Sequence, residues 1–516
     1  MTTEPPAADF DIPKPGQRPS NVRWLVFAMA CGTSWLLYLH RYTWNFIAPK
    51  LQEDYGWSIG DVQWAYSMFM WTYGIGQIPS GMLCDLLGPH VLLGAIIIAW
   101  SLIVPLQAVS SKWGMGGVRL LFGAAQAGGY PVLAKITRAW FPNSYRTIIQ
   151  GWVATVSGRT GGALSPIIMA TVLMGYCGFS WQMALVLLSG VGLLFATLFL
   201  LLFKNSPDVD PRVNDAERLH IRGTEPASAV FGRVMPWGQA LRNRSMVFFI
   251  IMQMFIAGVD TIYSSLMGVY FLSRGIDIKS AGLLASLPLW GGTVGGLLGA
   301  ILNDRLRAGR RWPIITLGAG MGAVLAACVR GLPYLDSSHG TWPGLPAALQ
   351  SVLLVAAGGA VLGVLGMSLL LPAVGSQRWG RSSVGMFSNI MACGMMLIMI
   401  QQQEIVGAAI GLFAVKYFAD MSQPTQWGAC TDIGGRDFSA TVFAIVNTAG
   451  NIGGIVFPIV FGLLLQYNST LLDGLSGSQA VTNFRPMFLF AAGMYIAGAI
   501  CWAFIDCTRT LDQGQE

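Results

Sequence analysis

An all-α bundle crossing a bilayer many times is the fold the sequence predicts, and three observations predict it. Of 516 residues, 54% are hydrophobic and only 11% charged, a balance too apolar for a water-soluble globular protein. Stretches such as "VLLGAIIIAWSLIVPL" from Val91 and "MALVLLSGVGLLFATLFLLLF" from Met183 are long enough to cross the hydrocarbon core as helices. The alternation of a membrane β-barrel is missing, which leaves the helix as the way to satisfy the backbone in lipid.

The elements follow in order. Residues 1–22 are polar and Pro-rich and lack the pattern of a cleaved signal, so they read as a cytosolic tail. Spans expected at 23–46, 62–83, 90–109, 115–138, 150–173 and 181–203 make an N-terminal six-helix bundle, residues 23–203. The polar stretch 204–245 reads as a central cytosolic linker. A C-terminal bundle, 246–506, carries spans at 246–271, 281–302, 312–331, 348–374, 384–401, 404–428, 439–466 and 486–506, before a cytosolic tail at 507–516. That makes fourteen spans, with the basic residues Lys135, Arg138, Arg146, Arg305, Arg307, Arg310 and Arg311 on the inner side of a cytoplasmic or plasma membrane.

Two internal repeats relate the halves. "GMLCDLLGPH" from Gly81 is echoed by "AILNDRLRAGRR" from Ala300, so Asp85 and Asp304 fall at matching places just after a span. "SGRTGGALSPI" from Ser157 is echoed by "AGNIGGIVFPI" from Ala449, with Asn451 in the place of Arg159. The interval from Asp304 to Gly450 is twice that from Asp85 to Gly158, which leaves room for two inserted helices at about 347–402. The competing reading is one inserted span and a surface helix, which reverses the last segments.

With this pattern on the page, the chain resembles the major facilitator superfamily (MFS), and within it the anion:cation symporter family of sialin, the vesicular glutamate transporters and bacterial hexuronate and galactonate transporters. The resemblance rests on "YLHRYTWNFIAPKLQEDYGWS", "FMWTYGIGQIPSGMLCDLLG", "RLLFGAAQAGGYPVLAKITRAWFP" and the Gly/Asn/Pro pattern before residue 460. It implies an MFS fold of two pseudo-symmetric six-helix bundles and a rocking-bundle secondary carrier of a small organic anion. It also implies that Arg41 faces the substrate and that Arg119 matches a second family arginine. Proton-coupled bacterial members have acidic residues where this chain has His40 and Gln126, so the coupling ion, H+ or Na+, stays open.

The residues themselves point the same way. An arginine inside a span normally faces a wet cavity or a partner. Arg41, Arg119 and Arg159 all lie in the first half, whose spans supply too few carboxylates to neutralise them. A guanidinium stays charged and offers a fork that fits a carboxylate or phosphate, so an anionic guest is the expected partner. The competing reading for each is snorkelling or a structural bond to helix carbonyls. Arg159 is expected to project into the central space opposite Asn451 and Asn447, and Gln126 to stand at the substrate as well. Tyr38, Tyr66, Tyr73 and Tyr263 are candidate lining residues, although packing and interfacial belts explain many aromatics. His40 and Asp260 are candidate ion-coupling groups, and Asp85 and Asp304 candidate gating residues. Lys416 and Asp420, four apart on one helix, are expected to pair with each other structurally.

No metal or cofactor is expected, since GxxxxGK[ST] and HExxH are missing and the eight cysteines are scattered. The net charge of +7 reports topology and not nucleic acid. The partners expected are the small organic anion, a coupling ion and the bilayer, with the chain acting as a monomer. Two other functions stay open: a transporter-derived sensor that binds the anion without flux, and a drug or cation exporter.

Overall fold

The computed structural model describes residues 18–109, 111–142, 149–222, 242–335, 345–376, 378–467, 469–471 and 480–508. Helix α1 (Val22–Tyr42) starts at Asn21, whose backbone is left-handed and whose side chain caps nothing. The cap comes from the linker instead. Glu217, in α8 (Asp215–Arg222), accepts from the amides of Val22 and Arg23 at 3.0 Å each and from the Arg23 guanidinium at 3.2 Å. A carboxylate at a helix N-terminus meets orphan N–H groups and the positive end of the dipole, so the linker is tied to the first span.

After Thr43 the span continues as α2 (Trp44–Tyr55), and Gly56 ends it. Ser58 opens α3 (Ile59–Ile103) with a capping box, its hydroxyl accepting from the Asp61 amide and the Asp61 carboxylate accepting from the Ser58 amide. α3 is two spans joined at Gly88, where φ is 76° and ψ 157°. That conformation is essentially glycine's alone. Gly88→Ala is therefore expected to destabilise the protein by about 1–3 kcal/mol, read as a lower melting temperature in detergent; an unchanged melt would contradict the bend.

The fourth span is broken at Gly128 into α4 (Lys112–Ala127) and α5 (Gly129–Trp140). The fifth is a short α6 (Gly158–Pro166) between two π-turn segments, Trp152–Ser157 and Ile167–Tyr176. α7 (Trp181–Leu202) closes the first half. Close approach of α6 to α1 depends on small residues: Gly161 lies on the Trp35 carbonyl and Gly158 beside Tyr38 and Tyr130.

The second half begins with α9 (Arg244–Ser265), which gives way at Leu266 to α10 (Met267–Ser273). Asn45 of α2 bridges the gap, donating to the Tyr263 carbonyl at 3.1 Å and accepting from the Met267 amide at 3.2 Å. Next come α11 (Ile278–Arg307), α12 (Trp312–Leu335), α13 (Leu345–Met367), α14 (Trp379–Ile400), α15 (Ile405–Met421), α16 (Gln423–Tyr467) and α17 (Arg485–Phe504). A two-strand antiparallel ribbon, β1 (Ser469–Leu471) with β2 (Ala480–Thr482), precedes α17, a small departure from the all-α expectation. Between the spans expected at 384–401 and 404–428, a tight turn joins α14 to α15 and leaves Glu404 exposed.

Two contacts set the site. Gly291, Gly295 and Gly299 of α11 lie against the backbone carbonyls of Phe413, Tyr417 and Met421, so α15 is drawn tightly onto α11 and its Lys416 and Asp420 are held in place. Across the halves, α3 packs on α16, and α6 with its following π-turn packs on α11. Ten helices of the described residues are long and apolar enough to cross a membrane, fewer than the fourteen spans expected. The expected second, fourth, fifth and ninth spans are not among the ten. Trp379–Ile400, assigned by spacing to the insertion, packs on α15 and α17, whereas α12 and α13 pack chiefly on each other.

Candidate functional site

Arg41 projects from α1 among aromatic rings of the first half. Its guanidinium carbon lies 4.2 Å from the ring centre of Tyr73, 5.0 Å from Phe69 and 5.2 Å from Tyr38. Nε donates to Gln126 Oε1 at 3.3 Å, and Gln126 in turn donates to the Leu37 carbonyl at 3.2 Å. The buried Nη2 has no hydrogen-bond partner. Among the described residues no carboxylate forms an ion pair with Arg41. The expected group of Tyr38, Arg41, Tyr73 and Gln126 is therefore one cluster, and Phe69 completes it.

Arg119 is fully buried beside this cluster. It donates to Gln107 Oε1 at 3.1 Å and lies 4.3 Å from the Trp44 ring, 4.7 Å from Phe69 and 5.6 Å from Tyr66. Phe69 thus sits against two guanidinium groups, and cation–π attraction offsets part of their desolvation. The Tyr66 hydroxyl reaches the other half, 2.6 Å from Ser264 Oγ.

Arg159 corrects the sequence reading. Its Nη1 is 3.2 Å from Asp260 Oδ2 and its Nη2 3.2 Å from Asp420 Oδ1. Lys416 bonds to both aspartates as well, at 2.6 Å to Asp420 and directly to Asp260. Two cations and two anions from three helices, α6, α9 and α15, close a network that joins the halves. The first half does lack the carboxylates to neutralise Arg159, but the second half supplies them. Three of the four side chains are 7% exposed or less, whereas Asp260 is 32% exposed, so Asp260 is the member that water reaches. The pairing of Lys416 with Asp420 holds, and it belongs to this larger group.

Other expected residues lie elsewhere. Asn447 donates to Gln77 Oε1 of α3 at 3.0 Å, and Asn451 packs beside Gly74 with a buried, unpartnered Nδ2. Both face the second span, i and i+4 on one side of their helix, and neither bonds to Arg159, whose partners are Asp260 and Asp420. Successive helical positions diverge by about 100°, which separates His40 from Arg41: the His40 ring is fully buried against α7, with Nε2 3.0 Å from the Leu188 carbonyl. Tyr263 is fully buried, its ring 5.3 Å from Lys416 Nζ. Asp304 is exposed at the end of α11 beside Asn303, and the side chain of Asp85 lies outside the described residues.

Residues 30–374 match the Major Facilitator Superfamily. The chain belongs to that superfamily. As a facilitator it is a membrane transporter and not an enzyme. It is similar to the probable sulfoacetate transporter SauU of Cupriavidus necator, at 23% identity over 506 residues covering 96% of each chain. It is similar too to the hexuronate transporter of Escherichia coli K12, at 25% over 504 residues covering 96% of this chain and 97% of that one. The probable galactarate/D-glucarate transporter GudP of Bacillus subtilis is 27% identical over 356 residues, 64% of this chain and 76% of that one. In fold, the facilitator resembles the inward-facing bacterial homologue of the human lysosomal transporter Spinster, with a TM-score of 0.58 and 13% identity over 94% of this chain and 95% of the other. The nucleoside transporter NupG gives 0.57 at 12% identity, covering 94% of this chain and all of that one.

Sequence reasoning about this facilitator missed Phe69, Gln107 and the place of Lys416 and Asp420 in the network. For the last two the signal was present, since ionisable residues inside a span are functional candidates by default. Phe69 offered none, because one more phenylalanine in a span reads as packing.

Proposed function

We propose that the chain is a secondary transporter that moves a small organic anion, a carboxylate or sulfonate of the sugar-acid size, by alternating access between its two halves. One observation carries the reading. Arg41 is 8% exposed, keeps an unbonded Nη2 and pairs with no carboxylate among the described residues, so its charge is left for a guest to neutralise. Gln126, Tyr38 and Tyr73 orient that guanidinium, and Arg119 adds positive potential through Phe69. The buried Nδ2 of Asn451 offers a further donor from the second half. Relatives named for sulfoacetate, hexuronate and galactarate or glucarate transport support the substrate class.

The Arg159, Asp260, Lys416 and Asp420 network ties the halves together at the pivot of that motion. The reading includes fourteen spans in a single working chain, both termini in the cytosol of an inner or plasma membrane. We place the two additional helices at α12 and α13, residues 312–373, instead of 347–402. α14 packs on α15 and α17, as the second part of α3 packs on the sixth span through Gly94 and Leu200 and reaches Gly128 of the fourth with Ile96, which leaves α12 and α13 without counterparts. Arg305 to Arg311 and Arg378 to Arg381 then flank the inserted pair on one side, as the positive-inside rule asks.

The test is counterflow in proteoliposomes. Vesicles loaded with unlabelled glucuronate, glucarate or sulfoacetate are expected to accumulate the same acid, labelled, transiently and saturably. Saturable binding to purified protein without counterflow would instead identify a sensor.

A further inference from the structure

We infer that this transporter is an obligate anion exchanger: the site reorients with an anion bound, and no proton or sodium ion is carried in its place. The inference rests on Arg41 as the anion's seat. It starts from the charges at the centre of the bundle, five of them buried and Asp260 partly exposed. Arg41, Arg119, Arg159 and Lys416 are cations, Asp260 and Asp420 anions. Four minus two leaves a formal charge of +2.

A coupling proton needs a group that releases its charge without stranding another. Among the described residues none is available. Asp260 and Asp420 each touch both Arg159 and Lys416, so protonating either strips a counter-charge from two buried cations, which is strongly unfavourable. Gln126, the side chain bonded to Arg41, does not titrate. Tyr38, Tyr66 and Tyr73, whose rings lie against the two arginines, bring hydroxyls and no carboxylate. His40 is turned to α7, where Leu188, Ser101 and Gly192 surround the ring and no charged group bonds to it. Asp432, in α16, is bonded to Arg381 at 2.5 Å and lies 3.7 Å from Arg307. A sodium ion would need the same carboxylates, and it would add charge to a site that is already positive.

The anion is therefore the only species that lowers the charge of the moving site. Carrying an uncompensated guanidinium through a closed, dry intermediate is costly, whereas the anion–guanidinium pair passes with less charge to desolvate. Return of the site then requires an anion from the other side.

The experiment uses purified full-length protein in proteoliposomes, with whichever of labelled glucuronate, glucarate or sulfoacetate binds the solubilised wild type. Uptake into vesicles holding the unlabelled acid is expected to exceed uptake into anion-free vesicles by roughly ten-fold or more. An imposed proton or sodium gradient is expected to leave that ratio in place. Gln126→Glu, which sets a carboxylate on Arg41, is expected to gain proton-driven uptake into anion-free vesicles. Gradient-driven accumulation by the wild type at the exchange rate would overturn the inference, as would strict exchange retained by Gln126→Glu. Failure of all three acids to bind the solubilised protein would remove the anion reading itself, a different outcome from bound anion with gradient-driven uptake.

Discussion

Arg41→Met is expected to abolish anion binding while leaving the fold intact. Truncating one partner of a buried, hydrogen-bonded charge pair costs about 2–5 kcal/mol, roughly 30- to several-thousand-fold in Kd. Methionine keeps much of the volume against Tyr38, Phe69 and Tyr73. The side chain it replaces is a buried charge without a protein carboxylate, so its removal takes away a desolvation cost and no ion pair. The variant should therefore melt no lower than the wild type in detergent, while equilibrium binding of labelled acid is lost. Arg41→Lys should lose roughly ten-fold or more, because an ammonium neither forks onto a carboxylate nor stacks on three rings. Normal affinity in Arg41→Met would show that the anion sits elsewhere.

Arg159→Met is expected to do the opposite to stability. It leaves Asp260 and Asp420 sharing Lys416 alone, and breaking a buried pair from one side costs about 3–5 kcal/mol. Melting should fall well below the wild type even without substrate. Adding Asp420→Asn removes the stranded carboxylate and should recover much of the loss, the non-additivity expected of residues in one network. Equal melting of Arg159→Met and wild type would mean that the four-residue network does not hold the halves together.

These two arginines look alike in the sequence, each a lone cation in an apolar span, and the contrast marks how far sequence reading reaches. Helical class followed from composition, and the MFS fold from the repeats and the family resemblance. Tyr38 and Arg41 stand three apart on one helix, a step that brings their side chains to one face, and Gln126 followed from the family resemblance. What pairs with what across the halves did not follow. Asp260 lies 101 residues from Arg159 and Asp420 lies 261 from it, and no local period encodes such a meeting. Asn451 was expected opposite Arg159 because the repeats align them, yet pseudo-symmetry relates positions and does not bring them into contact. The place of the insertion is a related matter: spacing reveals how much chain is extra and leaves open which helices were added, and the placement proposed above rests on packing instead.

Asn45 has a mechanical consequence. Its amide stands in for the bonds that the seventh span loses where α9 gives way to α10, so one half of the protein completes the backbone of the other. Peeling α2 from α10 exposes a carbonyl and an amide together, in surroundings where a stranded peptide group is heavily penalised. Under the alternating access proposed above, separation on that side is expected to be all-or-none, a snap rather than a gradual splay, with a threshold set by whether water or a rewound helical turn arrives to take up the two abandoned groups.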